Sequence, residues 1–302
     1  MTRCSLLGHI VAQPCPSHRQ REALLHLAAV YDPALQPALQ NALTMAKAEP
    51  NAHWQGLWVA MDGDNIAAAA WVQPLANQTA QLWLPKQNNA IARALLDGLQ
   101  GWVNEQPITL CHVALPAPWA AWEKTLVESG MRVLATLEHL VWPCQTVRMP
   151  DTSLTLHPFE ELTRTQQLAL LARVGEASLD CPALREAVPV KTLLAGFDAQ
   201  ATSAMMPTPR HWFRLEHQGE TIGVLLLATQ HPRWSLQLMG LVPEWRGQGL
   251  GQVVIQQAQA LAAQCGAKRL ALTVDAQNTP AQRVYARAGM KKEMQERLLA
   301  WC

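Results

Sequence analysis

The chain has 302 residues, a formal net charge of +1 at neutral pH and 49% hydrophobic residues. This length suits two domains, each with its own apolar core, and the nearly neutral charge without any run of lysine and arginine argues against nucleic acid as a partner. The seven cysteines are odd in number and include no C-x-x-C pair, which is typical of reduced thiols in a cytoplasm. No apolar segment predicts a signal sequence or a membrane span.

The first half of the chain has the pattern of a sheet that ends at a linker. Residues 62–71 predict a glycine turn between two strands, and residues 134–142 predict the last strand of this half. Prolines then cluster in residues 142–150, which indicates a connection between domains. We therefore predict one domain over residues 1–146 and a second over residues 151–302.

A long helical arm near the start of the second half contains the segment Ser178-Leu-Asp-Cys-Pro182. Two interpretations of Asp180 are open. Its carboxylate could orient or deprotonate an amine, with Cys181 lining a pocket. Alternatively, Asp180 could cap a helix that restarts at Pro182.

The most informative segment is Leu238–Gly251, which joins an apolar strand, a glycine-rich turn and an amphipathic helix without a break. Gly247, Gly249 and Gly251 allow a tight turn with positive φ, so that several backbone N–H groups can converge at the helix N-terminus. The turn has neither the spacing of a dinucleotide fingerprint nor the Lys-Ser/Thr pair of a Walker loop. It predicts a cradle for a phosphate or pyrophosphate, the alternative being a purely structural tight turn.

An apolar strand and a short helix follow the cradle helix. Residues 269–275 predict the strand. Asn278 or Thr279 can cap the next helix, Pro280 suits its first turn, and Gly289 suits its end.

The spacing Arg246-x-x-Gly-x-Gly251 after a strand that ends in Val242-Pro243 resembles the CoA-binding motif of the GNAT superfamily of acyltransferases. In that family the matching asparagine and tyrosine lie beside the thioester of acetyl-CoA, and here they are Asn278 and Tyr285. The resemblance covers residues 151–302 and implies acetyl-CoA as the cosubstrate. The resemblance also implies that the following residues contact acetyl-CoA: Leu241, Val242, Arg246, Gly247, Gln248, Gly249, Leu250, Gly251, Asn278 and Tyr285.

The first half matches the second at a nearly constant offset, which indicates a duplication. Trp83-Leu-Pro85 parallels Leu241-Val-Pro243, and Glu128–Met131 parallels Arg287–Met290. Together with the resemblance to the GNAT superfamily, this duplication predicts an α/β (α+β) fold of two tandem GNAT-like domains. Each is expected to be a twisted, mostly antiparallel sheet flanked by helices.

The first half lacks the residues that the cradle needs. Asn88, Ile91 and Arg93 stand opposite Arg246, Gly249 and Gly251, while Trp119 and Leu126 stand opposite Asn278 and Tyr285. We therefore predict a degenerate first domain. Only the second should be open between the strands carrying Leu241 and Val274, with Trp119, Leu126 or Ile91 filling the equivalent space in the first.

The resemblance also assigns chemical roles. The Leu241 N–H is the expected oxyanion donor, and Tyr285 is the expected general acid because a phenol is protonated at neutral pH. Asp180, in the arm that covers the acceptor in this superfamily, is the candidate that orients or deprotonates the amine. The other polar groups nearby have the pattern of strand ends: Glu216, His217, His231 and Asp275.

The sequence thus predicts acetyl transfer from acetyl-CoA to the amine of a small molecule or of a protein N-terminus, by direct attack on the thioester in the second domain. The alternative is a non-catalytic acyl-CoA-responsive protein that binds the cofactor and regulates. Neither a metal site nor a nucleic-acid or membrane partner is predicted, and a cytoplasmic location is expected.

Overall fold

The computed structural model describes residues 10–29, 44, 54–75, 77–202, 211–230 and 232–302. The chain divides into two compact units, of which the first comprises Met1–Val133 with Leu298–Cys302 and the second comprises Leu134–Arg297. Each unit has its own buried apolar clusters. Among the described helices, none is long and apolar enough to cross a membrane.

The first unit is a sheet in the order β1-β2-β3-β4-β5, followed by the end of β12. Neighbouring strands are antiparallel from β1 to β4, whereas β4 and β5 are parallel. Its elements are β1 (Val11–Pro14), α1 (Gln20–Ala28), β2 (Leu57–Asp62), β3 (Asn65–Pro74), β4 (Thr79–Trp83), α2 (Ala90–Asn104), β5 (Leu110–Pro116) and α3 (Trp122–Glu128).

The second unit is a sheet in the order β12-β6-β11-β10-β9-β8-β7, in which β10 and β11 form the parallel pair. Among the described residues, three α-helices connect β7 to β8 along the chain. Its elements are β6 (Arg132–Pro143), β7 (Thr155–Pro158), α4 (Arg164–Gly175), α5 (Pro182–Ala187), α6 (Val190–Thr202), β8 (His211–His217), β9 (Glu220–Gln230), β10 (Arg233–Leu241), α7 (Leu250–Gln264), β11 (Arg269–Asp275), α8 (Thr279–Arg287) and β12 (Lys291–Trp301).

The last strand of each half completes the core of the other unit. Leu140 and Trp142 of β6 are buried in the main cluster of the second unit, while Leu299 and Trp301 of β12 are buried in the main cluster of the first. The sequence-based expectation placed residues 134–142 in the first half. The difference arises because an apolar strand is stabilised by whichever sheet edge buries it, and the local pattern does not identify that edge.

The two units repeat one order of elements, as the sequence offset predicts. A hairpin with a positive-φ glycine, Gly63 in the first unit and Gly219 in the second, precedes a strand, a 15-residue helix, a parallel strand, a short helix and a final strand. This repeated order, with mostly antiparallel strands in each unit, agrees with the predicted tandem architecture.

The parallel strand pair opens in both units, so the expectation of an opening in the second alone is wrong in that strict form. In the second unit, pairing stops at Leu236, which leaves residues 237–241 unpaired with β11. In the first unit it stops at Gln81, two residues before β4 ends. Trp119 packs against both apolar clusters of the first unit, and Leu126 is fully buried. That these side chains fill the space between β4 and β5 stays a prediction.

The close approach of α4 to β10 depends on a glycine. A Cβ added at Gly240 would overlap the Cγ1 atom of Val174, which is buried on the last turn of α4. We therefore expect Gly240→Ala to displace α4 and to lower the free energy of unfolding by about 1–3 kcal/mol, as overpacking typically does. Chemical denaturation of the unliganded protein measures this change.

The matched control is Gly251→Ala. An added Cβ there meets only Val284 Cγ2, at an ordinary 3.7 Å. This variant should stay within about 0.5 kcal/mol of the parent. If the free energy of unfolding falls equally in Gly240→Ala and Gly251→Ala, the close-packing interpretation of Gly240 is contradicted.

Candidate active site

The candidate site lies where β10 parts from β11. The register of β10 with β9 shifts between Leu236 and Leu238, which marks Gln237 as a β-bulge, yet β10 stays paired with β9 on to Leu241. Because a bulge bends and twists one strand, it allows β10 to leave β11 without losing its other neighbour. The result is a gap between the ends of two strands.

The backbone of Leu241 faces this gap. Val242, one residue later, donates its N–H to the carbonyl of Ile222 at 2.9 Å. Since residues of an antiparallel strand alternate between bonding to their neighbour and pointing away, the N–H of Leu241 is directed away from β9. Leu241 is thus placed to donate a hydrogen bond to an acceptor in the gap.

Two glycines set the turn that follows β10. Gly247 and Gly249 adopt φ of 75° and 81°, and Gly249 is the N-cap of α7. Gly251 does not have positive φ and lies inside the first turn of α7, so the expectation of a left-handed conformation at all three glycines is wrong for this residue. The helix geometry requires φ near −60° there.

The turn leaves a row of backbone donors without partners. Among the described residues, the N–H groups of Gly247, Gln248, Gly249, Leu250 and Gly251 donate to no other protein group. A helix N-terminus leaves its first N–H groups free, and Gly249 has no side chain with which to cap them. Such a row of donors at the positive end of a helix dipole fits a phosphate or pyrophosphate.

The equivalent turn of the first unit is already satisfied by its own side chains. Asn89 caps α2 by accepting from the N–H groups of Ile91 and Ala92, at 3.0 and 3.1 Å. Asn88 bonds to the carbonyl of Ala121 and accepts from the hydroxyl of Thr125. Asn89 thus occupies two of the backbone donors at the start of α2 that a phosphate could use.

The candidate proton donor Tyr285 lies on the α8 helix. Asn278 caps this helix by accepting from the N–H of Ala281 at 3.3 Å, which selects Asn278 over Thr279 as the cap. Tyr285 is 7% exposed and belongs to the core cluster of the second unit. Its burial and, after that, the charge of Asp180 raise the pKa of its phenol, which keeps the hydroxyl protonated at neutral pH.

Asp180 is bound to the end of β11. Its Oδ1 accepts the backbone N–H of Asp275 at 3.0 Å, and Oδ2 of Asp275 accepts the backbone N–H of Cys181 at 3.2 Å. The capping interpretation of Asp180 is wrong, because the N-cap of α5 is Cys181 and no side chain caps that helix. The sequence suggested that Asp275 was only a strand-end residue. In the structure it is buried, and its hydrogen bonds hold Asp180 and Cys181 in place.

Cys181 lines this region as a protonated thiol. It is 8% exposed, and burial, followed by the nearby carboxylates of Asp180 and Asp275, raises the pKa of its Sγ. Since the thiolate is the reactive form of cysteine, this environment suits a pocket wall rather than a nucleophile.

The side chain of Arg246 binds backbone carbonyls of the protein. It donates to the carbonyls of Leu241, Glu176 and Val174 at 2.9, 2.7 and 3.0 Å. The sequence suggested no such contact, because the two helix-end carbonyls lie about seventy positions earlier in the chain.

The remaining residues of the motif have local partners. Gln248 donates to the carbonyl of Glu244 at 2.9 Å. Val242 is buried, and both its backbone groups are bonded within the protein. Leu250 packs against the core of the second unit.

The other polar groups considered from the sequence do not converge on the gap. Glu216 is bound to Arg214 at 2.7 Å, and His217 contacts Ser153. His231 lies outside the described residues.

Comparison with known proteins finds similarity to one family in the second half of the chain. Residues 178–290 match the model of the acetyltransferase (GNAT) family. Over 81 residues the chain is 31% identical to a Bacillus subtilis (strain 168) protein described as a putative ribosomal protein bS18 alanine N-acetyltransferase, covering 27% of this chain and 54% of that protein. The chain thus spans about half the length of this curated relative.

Solved structures share the fold over nearly the whole chain. A GCN5-related N-acetyltransferase from Sphaerobacter thermophilus has a TM-score of 0.60 at 15% identity, with 97% of this chain and 95% of that chain covered. A tandem GNAT protein from the clavulanic acid biosynthesis pathway has a TM-score of 0.56 at 16% identity, with 97% and 98% covered. The chain therefore has a tandem GNAT fold. Residues 178–290 of its second half are similar to the acetyltransferase (GNAT) family.

The glycine cradle generates a binding prediction. A valine at position 249 has a β-branched side chain that resists the observed φ of 81° and would stand at the row of free N–H groups. Acetyl-CoA at about 100 times its dissociation constant should stabilise the parent by about 2.7 kcal/mol, and Gly249→Val should abolish this gain. Thermal scans with and without acetyl-CoA measure the effect.

The control variant is Ile91→Val at the equivalent turn of the first unit, which should leave the stabilisation by acetyl-CoA unchanged. If acetyl-CoA stabilises Gly249→Val as much as it stabilises the parent, the turn at residues 247–251 is excluded as the cofactor site.

Proposed function

We propose that the second unit transfers the acetyl group of acetyl-CoA to an amine by direct attack on the thioester. The observation that carries this proposal is the row of five unbonded N–H groups at residues 247–251, placed beside an open parallel strand pair. Members of the GNAT family use acetyl-CoA, and the match to that family covers both features.

The chain's own groups supply positioning and charge stabilisation. The cradle would hold the pyrophosphate of the cosubstrate, so that the thioester enters the gap before the acceptor arrives and the bimolecular step becomes nearly unimolecular. The N–H of Leu241 would donate to the thioester oxygen as negative charge develops on it.

The proton balance involves two side chains. The amine nitrogen forms a bond to the acetyl carbon, the carbon–sulfur bond breaks, and the sulfur leaves with the electron pair. Tyr285 would donate its phenolic proton to this sulfur, and Asp180 would accept a proton from the amine. The charge of Asp180 contributes, after burial, to the raised pKa of Tyr285, which supports assigning both groups to one site.

The acceptor is proposed to be a primary amine on a small molecule or at a protein N-terminus. The Bacillus subtilis relative is named for acetylating an alanine of a ribosomal protein. Peptides with N-terminal alanine therefore belong in an acceptor panel beside small amines.

The first unit is proposed to be a non-catalytic scaffold. Asn89 occupies two N–H groups at the start of its α2 helix, and the sequence offset puts Leu126 opposite Tyr285. A leucine cannot protonate a thiolate.

The direct test is release of CoA from acetyl-CoA in the presence of the amine panel, with mass spectrometry of the acceptor. Acetylated acceptor is the expected result. Binding of acetyl-CoA without turnover on any amine would favour the alternative, a regulatory acyl-CoA-binding protein.

Tyr285→Phe tests the proton donor. The variant keeps the ring in the core but loses the phenolic proton, so kcat should fall by about 10²-fold or more while affinity for acetyl-CoA persists. Because the pKa of Tyr285 is raised above its usual value of about 10, the parent should show no alkaline loss of activity from this group below about pH 10. Retention of most of the activity would reduce Tyr285 to a packing role.

Asp180→Asn tests the arm carboxylate. The amide oxygen can still accept from the N–H of Asp275, so the arm should stay in place while the negative charge is lost. We expect kcat/KM for the acceptor to fall about 10²-fold with unchanged affinity for acetyl-CoA. The control is Glu176→Gln on the same arm, whose side chain is exposed. If kcat/KM for the acceptor in Asp180→Asn equals that of the parent, Asp180 does not orient or deprotonate the amine.

A further inference from the structure

We propose that the Arg246 side chain is a positioning residue that holds the acceptor arm against the end of β10, and that it is not a ligand of the pyrophosphate. The arm is defined here as residues 174–181, from the last turn of α4 to Cys181. The assignment of the arm to the acceptor rests on the proposed function, whereas the contacts of Arg246 do not.

The guanidinium uses all three of its nitrogen atoms on backbone carbonyls. Nε donates to Leu241, Nη1 donates to Glu176 and Nη2 donates to Val174, all within 3.0 Å. A guanidinium presents its donors as a rigid planar fork, so three simultaneous contacts fix its orientation. Its two remaining N–H groups are held in the same plane.

The carbonyls that Arg246 binds need a donor. α4 ends at Gly175, and the last carbonyls of a helix have no partner inside the helix. A cation at this end is also favoured by the helix dipole. Arg246 therefore satisfies a helix C-terminus, a role that a bound phosphate could not replace.

The arm adopts a conformation that must be held by contacts. Ala177 and Cys181 have φ of 47° and 45°, in the left-handed region that residues with a Cβ rarely adopt. Such conformations persist only where surrounding contacts enforce them. Arg246 provides the contacts at the start of the arm.

A second set of contacts fixes the other end of the arm. Asp275 accepts from the N–H of Cys181, and Arg185 donates to the carbonyl of Asp180 at 3.2 Å. With Arg246 at Val174 and Glu176, the segment that carries the Asp180 carboxylate is held at both ends. The position of that carboxylate in the gap thus depends on Arg246.

Arg246 also links the arm to the cradle through the chain itself. Its backbone directly precedes Gly247, the first of the free N–H donors, while its side chain reaches α4. A ligand that orders the cradle should therefore also slow amide exchange in the arm. This coupling requires the guanidinium contacts.

The experiment is hydrogen exchange by mass spectrometry on the full chain, with and without CoA, in Arg246→Met and Arg246→Lys. Peptides that cover residues 174–181 report on the arm. Affinities for CoA and for pantetheine, which lacks the pyrophosphate, are measured by calorimetry on the same proteins. The control is Arg173→Met, which removes a half-exposed cation from the same turn of α4 without touching these carbonyls.

We expect exchange in the arm to be about tenfold faster or more in Arg246→Met, because charged hydrogen bonds are lost from a strained segment. CoA should no longer slow exchange there. Affinities for CoA and pantetheine should both stay within about threefold of the parent, and Arg173→Met should behave as the parent. If Arg246→Met does not fold, Arg246→Lys is judged by the same criteria.

Unchanged exchange in the arm would overturn the proposal, and so would a fall in CoA affinity of about tenfold or more with pantetheine affinity unchanged. In an active enzyme, Arg246→Lys should also raise KM for the acceptor more than it lowers kcat. Failure of the parent to acetylate any amine would count against the proposed function alone, because exchange and affinity need no turnover.

Discussion

The site depends on one constraint on a strand: β10 must leave β11 while it stays bonded to β9. The bulge at Gln237 meets this constraint, since it inserts one residue and twists the strand away from its parallel neighbour. The same alternation of hydrogen bonds that holds Val242 to β9 then directs the Leu241 N–H into the gap. Every other group of the candidate site is placed relative to this opening.

The two units show how little chemistry separates an anion site from a structural turn. Both have a strand, a turn and a 15-residue helix in the same order. In the first unit the N-cap Asn89 satisfies the helix donors, whereas in the second the N-cap Gly249 leaves them free. A side chain at one position thus decides whether the helix N-terminus is available, because the backbone donors can be used only once.

The arm illustrates how strain and tethering accompany a functional segment. Two residues with positive φ lie within five positions, and the segment is bonded to Arg246 at one end and Asp275 at the other. Those tethers connect the candidate acceptor carboxylate to the cradle and to the end of β11. The groups proposed to bind the cofactor and the acceptor are therefore parts of one hydrogen-bonded unit.

The sequence by itself determined the features that depend on near neighbours and on φ. The positive φ of Gly247 and Gly249, a helix cap at Asn278 or Thr279 and the order of strands and helices all follow from patterns a few residues long. Tertiary structure decided the direction of the Arg246 side chain, the pairing of Asp180 with Asp275 and the exchange of the last strands between the units. These contacts join residues that are far apart in the chain. A local sequence pattern indicates that a group can form a hydrogen bond or be buried, but it does not identify the partner.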